Sequence, residues 1–67
     1  MKGFVEFTYI DKETKENVDL IISKDSINYI KKEGNACEIC FVNEYADDVT
    51  EVITKEEYAY LKQKLCI

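Results

Sequence analysis

A chain of 67 residues is a single domain close to the size below which folding needs disulfides or metals, and it buries only about 60% of the surface its unfolded form exposes. Its 46% hydrophobic content excludes a disordered chain, and no apolar run in it, Leu20-Ile21-Ile22 included, approaches the length of a bilayer-spanning helix. The net charge of −5, with no histidine and no arginine, argues against direct nucleic-acid binding and removes the commonest general base and metal ligand.

In chain order, Met1 to Phe4 runs straight into strand-like sequence without an apolar signal region, so a cytoplasmic protein with reduced thiols is expected. Phe4 to Ile10 (FVEFTYI) is aromatic and β-branched, with Val5, Phe7 and Tyr9 on one face of a predicted strand. Asp11 to Asn17 is wholly polar and predicts a hairpin loop, and Val18 to Ile22 the return strand. Ser23 to Ser26 offers caps for a single helical turn. Ile27 to Ile30 opens a third strand, Lys31 to Asn35 a turn with Gly34-Asn35 at positive φ, and Ala36 to Val42 a fourth strand.

Asn43 to Asp48 is a second polar turn and Val49 to Ile53 the fifth strand. Thr54 and Glu57 have capping-box spacing, and Tyr58, Leu61 and Leu65 form one stripe of a helix whose last turn carries Lys62 and Lys64. The expected fold is one α+β domain, mostly β, spanning residues 1–67: five short antiparallel strands forming a strongly bent sheet or small SH3-like barrel, with one C-terminal helix.

Cys37 and Cys40 have the C-x-x-C spacing. On a strand, positions i and i+3 face opposite ways about 10 Å apart, whereas two zinc-bound thiolates lie within about 4 Å and belong to a set of four ligands. A redox pair would sit at a helix N-terminus beside a proline, and the chain has no proline. The pair is therefore expected to be two unreactive strand thiols. Cys37 shares the core face with Ile39 and Phe41, and Cys40 the opposite face, with Glu38 and Val42, where exposure is expected. Cys66 lies at the C-terminal end. No catalytic, metal or cofactor-binding residue is predicted. A buried cleft of several hundred Å³ would consume much of so small a core, which argues against an enzyme.

Two groups of residues suit a partner instead. Glu44, Asp47, Asp48 and Glu51 belong to an acid-rich stretch running to Glu57, able to attract a basic partner or imitate a phosphate backbone. Tyr29, Tyr45 and Tyr60 fall where burial is hard to arrange, and exposed tyrosine suits protein interfaces.

The run Asp25-Ser26-Ile27-Asn28-Tyr29-Ile30-Lys31, followed by a turn, Cys37-Glu38-Ile39-Cys40-Phe41, Glu51-Val52-Ile53 and Thr54-Lys55-Glu56-Glu57, resembles the small flagellar FlbD-type proteins and the barrel half of LytTR DNA-binding domains. The resemblance covers most of residues 18–65 and lies in the hydrophobic spacing. It implies a small barrel, and either a small accessory protein or a DNA-binding one; the acidic balance and missing arginine oppose the latter.

The function expected from these features is a non-enzymatic module that docks on a protein partner or on itself, through an open sheet edge or the tyrosine-bearing surface. Self-association would also supply core that a chain this short lacks. The alternative is an acidic, phage-type inhibitor that occupies the nucleic-acid channel of a host defence enzyme, a reading that the absence of arginine beside abundant lysine, asparagine and isoleucine (a sign of AT-rich coding) accommodates.

Overall fold

The computed structural model describes residues 3–65. It contains strands β1 (Phe4–Ile10), β2 (Asn17–Ser23), β3 (Ile27–Glu33), β4 (Ala36–Val42) and β5 (Asp48–Ile53), then helix α1 (Lys55–Lys64). All paired strands are antiparallel, in the order β2-β1-β5-β4-β3. The expected five strands and C-terminal helix are present. The sheet is bent but stays open, with β2 and β3 as its two edges and no ladder between them, so the barrel closure of an SH3-like fold is not among the observed pairings. No helix among the described residues is long and apolar enough to cross a membrane.

Two of the hairpin loops share one device. Asp11 Oδ1 accepts from the backbone N–H groups of Glu13 (2.8 Å) and Thr14 (3.0 Å), and Lys15 closes the loop at φ 65°. Asn43 Oδ1 likewise accepts from Tyr45 (2.9 Å) and Asp47 (3.0 Å), and Ala46 closes that loop at φ 65°. Each loop therefore opens on a short side-chain acceptor and ends on a left-handed residue. The β3–β4 turn is tighter than expected: Glu33 pairs with Ala36, leaving Gly34 and Asn35 as the two turn residues. Only Gly34 has positive φ (62°), the pattern of a type II′ turn. Lys31, Lys32 and Glu33, expected in the turn, instead extend β3.

β3 also departs from simple alternation. Ile27 pairs with Phe41 but Tyr29 with Cys40, so Asn28 is an extra residue in a bulge. The bulge resets the phase of the strand. Ile27 and Ile30, three apart, both pack on the core, while Tyr29 turns outward.

The core gathers Val5, Phe7, Cys37, Ile39, Phe41, Ile53 and Leu61 on the concave face of the sheet. Phe7, Tyr9 and Phe41 make a three-way aromatic contact, with Phe7 and Phe41 edge-on at 5.6 Å between ring centroids. β1 and β5 pair only at Ile10 and Val52. Beyond that point β5 ends, the chain turns at Thr54, and α1 packs against β1, β3 and β4. Thr54 Oγ1 accepts from the Glu57 N–H at 3.1 Å, the cap expected from the sequence. Leu61 has no exposed surface, and Tyr58 and Leu65 pack beside it.

Leu61 is thus the single side chain by which the helix is fully anchored in the sheet. Leu61→Ala is expected to cost about 2–5 kcal/mol in urea unfolding. Ala46→Gly, which relieves a left-handed alanine, is expected to stabilise by up to about 1 kcal/mol. A neutral result for Leu61→Ala would contradict the placement of the helix.

Candidate interaction surface

Behind the β2 edge, Tyr9 of β1, Leu20, Ile21 and Ile22 of β2, and Phe41 and Val42 of β4 line a cleft of about 410 Å³, with Ser23, Ser26, Asn43 and Glu44 at its margin. Ser23 Oγ accepts from the Asp25 N–H at 3.2 Å and caps the 3₁₀ turn (Lys24–Ser26) that joins β2 to β3.

The two edges differ in chemistry. β3 carries Lys31, Lys32, Glu33 and the Asn28 bulge, features that discourage a further strand from pairing. β2 pairs with β1 in continuous register from Ser23 to Asn17. Its second half, Leu20-Ile21-Ile22-Ser23, has no charge, and Ile21 is 54% exposed on the outer face. Ile21 was not among the residues singled out from the sequence. Its signal was the Leu-Ile-Ile run itself, which must place an apolar residue on the outer face once Leu20 and Ile22 face inward.

The three exposed tyrosines lie on three elements: Tyr29 on β3, Tyr45 in the β4–β5 loop and Tyr60 on α1. All are exposed, Tyr45 at 76%, and the aromatic contacts of the described residues join none of them to another. The Tyr29 hydroxyl donates to Glu38 Oε2 at 3.2 Å, and the Lys64 ammonium lies 5.5 Å from the Tyr60 ring centroid. They are separate contacts, not one patch.

The acid-rich stretch is divided in the same way. Glu44, Asp47 and Asp48 are exposed, and Asp48 Oδ1 accepts from Asn28 Nδ2 at 3.1 Å. Glu51 instead pairs across the ladder with Ile39, which is fully buried, so its side chain starts from the core face. Its Oε1 is buried with no hydrogen-bond partner among the described residues. Burial pushes the Glu51 carboxyl above its usual range; Lys12 pulls it back, while Asp11 and Glu13 add to the rise. The neighbouring Tyr9 phenol is also pushed up, by burial first and then by Glu51 and Asp11. Asp11 itself is held low by the backbone N–H groups of Thr14 and Glu13.

The cysteine pair is divided between faces. Cys37 lies in the core as expected. Cys40, expected to be exposed, is only 7% exposed. It sits between its cross-strand partners Tyr29 and Thr50, and Asn28 Nδ2 donates to its sulfur at 3.6 Å, so the bulge covers it. Both thiols are free, and no group of three or more metal-ligating side chains occurs among the described residues. Cys66 lies outside the described residues.

No protein-family model, curated protein or solved structure matches the chain.

The orphaned Glu51 oxygen generates a pH prediction. The folded chain holds this proton to higher pH than the unfolded chain, so stability is greatest below the ordinary glutamate pKa and falls as pH rises through the folded value. Glu51→Val, which replaces the carboxylate with a β-branched apolar side chain, is expected to stabilise by about 1 kcal/mol at neutral pH. The gain should shrink towards about pH 4. Equal destabilisation at both pH values, in urea titrations, would count against the inward carboxylate.

Proposed function

We propose that this chain is a non-enzymatic docking module that engages a protein partner, or a second copy of itself, through the β2 edge. The observation that carries this reading is the contrast between the two edges: β3 is guarded by lysines and a bulge, and β2 is not. An extended segment laid along β2 would gain main-chain hydrogen bonds on its free side. Its alternate side chains would reach the apolar cleft formed by Tyr9, Leu20, Ile22 and Phe41. The same segment would cover apolar surface that a small core leaves uncovered.

The alternative, an inhibitor that imitates phosphate charge, needs a continuous acidic face. Glu51 turns inward, away from Glu44, Asp47 and Asp48, which favours docking over mimicry.

Hydrogen exchange tests the reading directly. Backbone amides of β2 are expected to gain protection when the chain binds a partner captured from its native host, or when its own concentration is raised. β3 amides at Tyr29 and Lys31 should not change. Ile21→Lys, which gives β2 the guard that β3 has, should abolish the protection. Protection centred on β3, or none in either experiment, would overturn the proposal.

A further inference from the structure

The outer side of the β1–β2 hairpin meets α1 in a groove with two chemically different ends. At one end Phe4, Ile21, Tyr60 and Lys64 surround a space of about 250 Å³. At the other Glu6, Asp19, Glu56, Glu57 and Tyr60 line about 340 Å³. Glu6 and Tyr60 line both, so the two spaces lie side by side. Three of the large apolar side chains exposed on this molecule, Phe4, Ile21 and Tyr60, come together at the first end.

The strands explain the arrangement. Glu6 pairs with Ile21, and Thr8 with Asp19, so their side chains stand side by side on the outer face. The first turn of α1 supplies Glu56 and Glu57, where the helix dipole favours carboxylates. Asp19 accepts from the Thr8 hydroxyl at 2.7 Å. None of the four carboxylates has an ion-pair partner among the described residues, where the one ion pair is Lys31–Glu33.

We infer that this groove binds a basic segment of a partner protein, with an apolar side chain seated between Phe4, Ile21 and Tyr60 and lysine or arginine side chains lying along Glu6, Asp19, Glu56 and Glu57. Charge complementarity selects this occupant. In this groove the four carboxylates disfavour a second copy of the chain, itself carrying −5, and a neutral segment would leave them without a cationic partner. Exposed ion pairs are individually weak, so the apolar anchor supplies affinity and the acids supply selection and on-rate. Lys64, beside Tyr60, sets the direction by keeping cations away from the apolar end.

The inference rests on the docking reading above and shares Ile21 with it; Glu6→Lys and Tyr60→Ser, which leave the β2 edge and the cleft behind it untouched, make the two fail separately. The ¹⁵N-labelled full chain is titrated with a synthetic peptide of one leucine followed by three lysines, and with the same peptide ε-acetylated on every lysine. Amide shifts are expected at Glu6, Ile21, Glu57 and Tyr60. Affinity should fall about tenfold or more on acetylation, and likewise in Glu6→Lys and Tyr60→Ser, whose spectra should retain the dispersion of the folded chain. Shifts centred on Glu44, Asp47 and Asp48, or spread over every acidic residue, would overturn the inference, as would indifference to acetylation. Protection of β2 in the exchange experiment beside such a result leaves the docking module standing and removes this groove from it. Loss of both removes the module as well.

Discussion

The turn between β2 and β3 constrains everything else in this fold. In the order β2-β1-β5-β4-β3, with every pair antiparallel, the two edge strands run in the same direction. A parallel relation is ordinarily bridged by a crossover of about a dozen residues or more, but here Lys24, Asp25 and Ser26 do the work alone. A flat sheet would hold the edges about 19 Å apart, and the steps from Ser23 to Ile27 reach at most about 14 Å. Bending resolves the conflict: the sheet coils as well as twists, which brings the end of β2 to the start of β3 within reach of the short connection.

A sheet coiled this far encloses one face and spreads the other. The enclosed face holds the Phe7, Tyr9 and Phe41 rings and the aliphatic groups around Ile39. Because β1 and β5 diverge after one pair, β strands alone would leave this face open at one end. The helix fills that end with Leu61. Between β2 and the end of β4 no element fills the gap, and the apolar cleft remains. No ladder joins β2 to β3 across the short turn, so both strands remain edges of the sheet.

The polar groups follow the same geometry. Glu51 is carried onto the core face by register, because a strand admits no intermediate choice between its two sides. The outer face gathers the groups that the core does not take: Glu6 beside Ile21 and Asp19 beside Thr8, with the first turns of α1 leaning over them. A single small domain thus presents two unlike surfaces, a strand edge whose second half is uncharged, with an apolar cleft behind it, and an acidic groove with an apolar end. Both involve β2, the strand with the least protection against a partner.

Local sequence determined much of this. Alternation in Phe4–Ile10 and Ala36–Val42, the polar loops after β1 and β4, the Thr54 cap and the Leu61 stripe all act over a few residues, and each appears where those short-range patterns put it; β3 does not, since Lys31 to Glu33, polar enough for a turn, extend the strand. The exposure of Tyr29, Tyr45 and Tyr60 was legible for the same reason. The bulge at Asn28, the burial of Cys40, the inward turn of Glu51 and the convergence of Phe4, Ile21 and Tyr60 were not. Each depends on which strand lies opposite and in what register. That is decided by contacts between residues distant in the chain, which periodicity within one segment does not encode. Sequence alone therefore set the elements and their apolar faces, and tertiary structure alone decided which edge stayed open and which charged groups met across it.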